Sequence, residues 1–240
     1  MRSILLILAV VIGVPAWIEA AEIKSPKGAP RTTDGKPKPP TAGDAAKPAA
    51  VPAAPAGKKT ETAIFAGGCF WCTELAFEQL AGVLDVESGY CGGTKGTANY
   101  NQVHLGTTGH AEAIRVTYDP DKITYDDLLN AFFDSHDPTQ LNRQKEDIGR
   151  QYRSAIFFAN EEQEKQAKAK IADLDSKHVF KRPIVTKLEP LKEFYSAEAY
   201  HQDFARRNPL LPYIQTHAVP KATQIRAKHP DLIKNNERRD

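Results

Sequence analysis

Ala63-Ile64-Phe65-Ala66-Gly67-Gly68-Cys69-Phe70-Trp71-Cys72-Thr73-Glu74 is the stretch around which the rest of the chain is organised. Four apolar residues closed by two glycines read as a short buried strand. Beyond the turn, Leu75, Phe77 and Leu80, with Glu74 and Glu78, read as a helix. Cys69 therefore falls at a strand-to-helix turn, where backbone N–H groups lack intrahelical partners and the helix dipole favours negative charge. That placement favours the thiolate, the reactive form of cysteine. Phe70 and Trp71 supply apolar walls for a small nonpolar group.

Blander readings compete with a nucleophile. A free cysteine among aromatics is more often core than catalyst, and C-x-x-C can be half of a zinc site. No second C-x-x-C exists, the remaining cysteine is Cys91, and none of the seven histidines forms an H-x3-H or H-E-x-x-H pair, so no metal site is expected. A thioredoxin-like thiol–disulfide pair of Cys69 and Cys72 is the stronger rival. In thioredoxins the tryptophan precedes the first cysteine and a proline lies inside the pair, whereas Phe70 and Trp71 fill it here. A third reading is an exported adaptor whose cysteines form a structural bridge.

Downstream, Val83 to Tyr90 alternates, with Leu84, Val86 and Tyr90 on one face and Asp85 and Glu87 on the other, as a half-buried strand does. Gly92 to Gly109 is a glycine- and threonine-rich loop suited to binding. Glu112 to Tyr118 alternates again. Thr124-Tyr125-Asp126-Asp127 resembles a capping box before Tyr125, Leu128, Leu129 and Phe132 at helical spacing. Ser154 to Phe158 is apolar on both faces, as a central strand would be. The order β-α-β-β-α-β predicts an α+β fold, a two-layer sandwich with a ferredoxin-like core plus additional helices. Those additions are a helix capped by Asn160, a strand over Ile184 to Leu188, and a last helix from Ser196 to Asn208-Pro209.

Upstream the composition is different. Arg2, an apolar run from Ile4 to Ala16, and small residues at Ala20 and Ala21 have the form of a signal peptide over residues 1–21. Residues 22–60 hold eight of the 17 prolines and no aromatic residue, which predicts a disordered linker. Eight Lys/Arg against three Asp/Glu give that linker +5, and Arg2 balances Glu19 before it. Of the chain's net +2, residues 61–240 therefore carry −3. The basic character belongs to the linker, which removes the support for a nucleic-acid-binding domain. The expected organisation is a catalytic domain over 61–215 and a charged C-terminal tail over 216–240. Export places the mature protein in a periplasmic or extracellular space, without stable membrane insertion after signal cleavage.

Gly68-Cys69-Phe70-Trp71 with Glu74 resembles the signature of the A-type peptide methionine sulfoxide reductases. Gly89-Tyr90-Cys91-Gly92-Gly93, Asn99-Tyr100, Gly109-His110-Ala111-Glu112, Tyr118-Asp119-Pro120 and His136-Asp137-Pro138 continue the likeness in order. Gln151-Tyr152-Arg153-Ser154-Ala155-Ile156 and His201-Gln202-Asp203 before Asn208-Pro209 extend it to about residue 209. The resemblance implies Cys69 as nucleophile and Glu112 as the acid that protonates the departing oxygen. Glu112 stands in register with the apolar Ile114, Val116 and Tyr118, where desolvation favours a neutral carboxyl. It further implies Tyr100 and Tyr152 as hydrogen-bond donors to the oxygen, Phe70 and Trp71 as the methyl cradle, and Asp147 as a binding acid. Around Asp147 the residues Gln144-Lys145-Glu146 depart from the common family pattern. His110 and His201 fit structural hydrogen-bonding roles, and Glu74 is expected on the helix surface. Many family members resolve the oxidised cysteine with C-terminal thiols. None follows Cys91 here, so Cys72, Cys91 or an external thiol must serve. The substrate implied is methionine S-sulfoxide, free or in oxidised proteins. No bound cofactor is called for, only an external dithiol reductant such as a thioredoxin-like protein or dithiothreitol.

Overall fold

A computed structural model of the chain describes residues 59–234. The expected signal segment, the linker up to residue 58 and residues 235–240 lie outside the described residues. The elements follow as β1 Glu61–Gly67, α1 Phe70–Glu78, β2 Val83–Cys91, α2 Tyr100–Val103, β3 Ala111–Tyr118 and α3 Tyr125–Ser135. Next come a two-stranded ribbon, β4 Arg143–Gln144 with β5 Asp147–Ile148, then β6 Ser154–Phe158, α4 Glu161–Ser176, β7 Lys187–Pro190 and β8 Phe194–Ser196. Helices α5 Phe204–Arg207 and α6 Val219–Lys228 follow.

The fold is mixed α/β. Six strands form one sheet in the order β7-β6-β1-β3-β2-β8, antiparallel throughout except for the parallel pair β6–β7. All six helices contribute to an apolar cluster on one face, where Phe65 of β1 meets the rings of Phe77, Tyr125 and Phe132 at 5.6, 6.1 and 5.0 Å. The other face carries a smaller cluster of Ile64, Ala66, Cys91, Ala111, Ala113, Ala155 and Phe157. Strand alternation sorts neighbours such as Ile64 and Phe65 to opposite faces. The capping box before α3 is formed, with Thr124 and Asp127 bonded reciprocally, and Asn160 accepts from the Gln163 N–H to cap α4.

Three local expectations are corrected. Leu84 lies at a register irregularity between Val83 and Asp85, so it turns outward, 43% exposed. The strand expected over Ile184 to Leu188 runs instead from Lys187, where the backbone comes alongside β6. The segment after Phe194 is not a long helix: Phe194–Ser196 pairs along the open edge of β2, and sheet pairing outweighs the local helical pattern. Asp203, with φ +54, then breaks the chain before the single turn of α5.

The largest correction concerns residues 216–234, expected as a charged tail. They form a π-helical turn at Ile214–Ala218, then α6, packed on α1. Ala218, Ala222 and Ile225 make a narrow buried stripe within a basic, polar sequence. Leu80 and Ile233 form a β-bridge, and the Lys234 N–H donates to the Gln79 carbonyl at 2.8 Å. Among the described residues, no helix is long and apolar enough to cross a membrane.

Candidate active site

The site begins at the turn from β1 into α1. Gly68 has φ +94, and a Cβ added there would stand 2.7 Å from Cγ of Gln144. Only glycine meets both demands. Cys69 is the N-cap residue of α1, and its carbonyl accepts from the Cys72 and Thr73 N–H groups at 3.2 Å. Its side chain therefore stands at the positive end of the helix dipole. Cys72 follows at a spacing of three, which puts both sulfurs on one helix face. Both line a cleft of about 320 Å³ together with His136, Gln144, Asp147 and Lys221.

Glu112 meets the same turn from below. It lies on β3 opposite Tyr90, is 1% exposed, and its Oε2 accepts from the Phe70 N–H at 3.1 Å. Ile114, Val116 and Tyr118 are buried in alternation with it, as their register required. The carboxyl is thus tied to the N–H of Phe70, the residue that follows Cys69 and opens α1.

The aromatic wall is held from the C-terminal side. The Trp71 indole N–H donates to His201 Nδ1 at 3.1 Å, and its ring stacks on Phe204 at 4.0 Å. Phe70 packs against His201 and Tyr90 at 4.9 and 5.8 Å. Glu198 accepts from the Tyr90 hydroxyl and the Tyr100 N–H, both at 2.9 Å, which fixes Tyr100 beside His201. Tyr152, 1% exposed, belongs to the turn Arg150–Tyr152 that packs against β3 and β4. Phe70, Trp71, Tyr100, Tyr152 and Glu112 do not line the open cleft. Phe70, Trp71, Tyr100 and Glu112 form the buried side of the site, and Tyr152 is buried in the turn beside β3.

Asp147 is presented by the β4–β5 ribbon, and its Oδ2 accepts from the Tyr213 hydroxyl at 2.7 Å. Tyr213 stands edge-on to Trp71 at 6.2 Å. Its phenol is pushed well above the usual range by burial, then by Cys69, Cys72 and Asp147. Tyr213 therefore stands between Trp71 and Asp147, a placement that the sequence did not mark. Burial pushes the His136 imidazole down to about 3, so it is neutral between the Phe132 carbonyl and Ser154 Oγ.

Two sequence expectations are corrected here and a third is met. Cys91, a candidate resolver, follows Tyr90 on β2 and so points to the opposite sheet face, buried beside Ala111 and Ala113. Its Sγ donates to the Glu193 carbonyl at 3.3 Å, and burial pushes the thiol up to about 12. Glu74 is not a surface residue. It is 1% exposed, accepting from Ser88 Oγ and the Asp203 N–H. His110 and His201 do serve as structural hydrogen-bonders, to the Thr94 carbonyl and to Trp71.

Comparison with known proteins converges on the same chemistry. The family model for peptide methionine sulfoxide reductase matches residues 61–232. A relative from Deinococcus radiodurans, peptide methionine sulfoxide reductase MsrA, is 51% identical over 178 residues, covering 74% of this chain and 86% of the relative. A Synechocystis relative named MsrA 2 is 48% identical over 184 residues, 76% and 86% of the two chains. Among solved structures, reduced Mxr1 from Saccharomyces cerevisiae superposes with a TM-score of 0.60 at 34% identity, covering 66% of this chain and 91% of its own. Methionine sulfoxide reductase A of Corynebacterium diphtheriae gives 0.56 at 34% identity, with 64% and 78% covered. A cysteine at a helix start, a buried carboxyl bonded to the N–H of the next residue, an aromatic wall and this similarity over most of the folded chain lead to one conclusion: the chain belongs to the A-type peptide methionine sulfoxide reductase family of enzymes.

Proposed function

We propose that the enzyme reduces the S epimer of methionine sulfoxide, free or in exported proteins, through a Cys69 sulfenic acid and a Cys69–Cys72 disulfide. The observation that carries this reading is the hydrogen bond from the Phe70 N–H to Glu112, which couples a buried acid to the helix start that bears Cys69. The Cys69 thiolate attacks the sulfoxide sulfur. Glu112, 1% exposed beside the helix start, gives its proton to the oxygen. The sulfoxide is reduced to methionine, and the cysteine sulfur is oxidised to sulfenic acid. Tyr100 and Tyr152 hydrogen-bond the oxygen, Phe70 and Trp71 enclose the methyl group, and Asp147 with Tyr213 borders the substrate.

Cys72 then attacks Cys69 Sγ. A sulfur–sulfur bond forms, the sulfur–oxygen bond breaks, and water leaves. The disulfide is returned to dithiol by a thioredoxin-like protein or by dithiothreitol. Export by the 1–21 segment, with 22–60 as a tether, would put this repair outside the cytoplasm. For the scaffold we propose a ferredoxin-like two-layer core, which the antiparallel order β6-β1-β3-β2 and the one-sided helices support.

The test is one turnover with excess methionine sulfoxide and no reductant, followed by peptide mapping. A Cys69–Cys72 bridge with one methionine per chain is expected. A bridge to Cys91 formed at full rate in Cys72→Ser would refute the resolver, and insulin reduction outpacing sulfoxide reduction would favour a thiol–disulfide oxidoreductase. Turnover of both sulfoxide epimers at equal rates would refute the S assignment.

A further inference from the structure

Lys221 has no part in the steps above, yet it is built into the site. It projects from α6 to α1, where its Nζ donates to the Gly67 carbonyl at 2.8 Å and to Thr73 Oγ1 at 3.4 Å. Those acceptors bracket the Cys69–Cys72 turn, and all three side chains line the same cleft. We propose that Lys221 is a positioning residue for the second half of the reaction, its ammonium holding the Cys72 sulfur as the thiolate that condenses with the Cys69 sulfenic acid. This rests on the reading of Cys72 as the resolving thiol.

The surroundings favour that role. Gly67 O and Thr73 Oγ1 are neutral acceptors, so they fix the ammonium without neutralising it. The charged and titratable groups around it are Cys69 and Cys72 from α1, His136 and Asp137 at the end of α3, Lys145 and Asp147 from the ribbon, and His217 from the π-helical turn. His136 is neutral, and Asp147 Oδ2 accepts from the Tyr213 hydroxyl. Burial draws the Lys221 pKa down, and the partner that most restores it is Cys72, followed by Cys69 and Asp147, with Lys145 opposing. Such coupling is reciprocal: a thiolate that favours the ammonium is itself favoured by it. In the step served, the Cys72 thiolate forms the sulfur–sulfur bond while the Cys69 sulfur–oxygen bond breaks. The thiolate sulfur is oxidised, the sulfenic sulfur is reduced, and the departing hydroxide takes a proton from solvent.

The thiolate can be read without turnover. In full-length Cys69→Ser protein, iodoacetamide labelling of the Cys72 peptide is followed by mass spectrometry from pH 5 to 10. Adding Lys221→Met should move the labelling midpoint up by about one pH unit, slowing labelling about tenfold at neutral pH. Lys221→Arg should restore it, because the charge is kept. An unchanged midpoint in Lys221→Met overturns the proposal. Should that variant lose its melting transition, the reciprocal measurement keeps Lys221 in place. An NMR titration of 13C-labelled lysine should then give a lower Lys221 pKa in Cys72→Ala than in wild type, and an equal value overturns the proposal. Peptide mapping of wild type after one turnover reads the resolver separately. Absence of the Cys69–Cys72 bridge overturns the second-half role even where the labelling midpoint moves, and its presence with an unmoved midpoint overturns Lys221 alone.

Discussion

Glu112→Gln separates proton delivery from every other contribution of this side chain. Glutamine keeps the volume of a residue that is 1% exposed, and its amide oxygen can still accept from the Phe70 N–H. Exchanging one neutral-type acceptor for another costs about 1 kcal/mol or less, so the fold and the start of α1 should persist. What the amide lacks is an acidic proton. General acid catalysis contributes roughly 10²–10⁴-fold, equivalent to about 2.7–5.5 kcal/mol of barrier. The assay is rapid-quench single turnover, scoring methionine and dimedone-trapped Cys69 sulfenate together. Both should slow by the same factor, with near-ultraviolet circular dichroism unchanged. An intact variant that forms methionine at the wild-type rate would refute Glu112 as the acid and move the role to Tyr100 or Tyr152.

Cys91→Ala should leave turnover with a dithiol reductant within twofold of wild type and cost about 1–2 kcal/mol of stability, since Cys91 packs on the sheet face away from Cys69; a tenfold fall in turnover would contradict this. Gly68→Ala forces φ +94 on a side chain and drives a Cβ into Gln144, so urea melts should show a loss of about 1–3 kcal/mol and sulfoxide reduction should fall as the ribbon that carries Asp147 shifts. Glu74→Gln tests linkage. Burial raises the native pKa well above its ordinary 4.5, so the native state keeps a proton that the unfolded chain releases. That contribution is full below the unfolded value and is lost as pH rises toward the native one. The melting temperature of the variant relative to wild type should therefore climb from pH 5 to pH 8, and a flat difference would refute the buried acid.

The local chemistry was legible in the chain. The two glycines, the apolar run before them and the helical spacing after them located Cys69 at a helix start, because backbone sterics and the helix period are local properties. The alternation Glu112, Ile114, Val116, Tyr118 put a carboxyl on a core face, and the structure finds it there. The same period-two rule separates Tyr90 from Cys91, yet which of them faces α1 depends on how β2 pairs with β3. Only the sheet register, Tyr90 against Glu112, decides that Cys91 is on the far side. Glu74 was misplaced for a similar reason: its burial comes from Ser88 and Asp203, contacts 14 and 129 residues away. Tyr213 and Lys221 carried no local sign of function. Lys221 belongs to a segment whose charge reads as solvated tail, and its meeting with the sulfurs requires Ala222 and Ile225 to seat α6 against α1. The sequence by itself placed Cys69 at the start of its helix and Glu112 on a core face, because the helix and strand periods are short-range properties. The tertiary structure decided which thiol shares the cleft and which cation faces it, because burial and charge depend on which distant segments pack together.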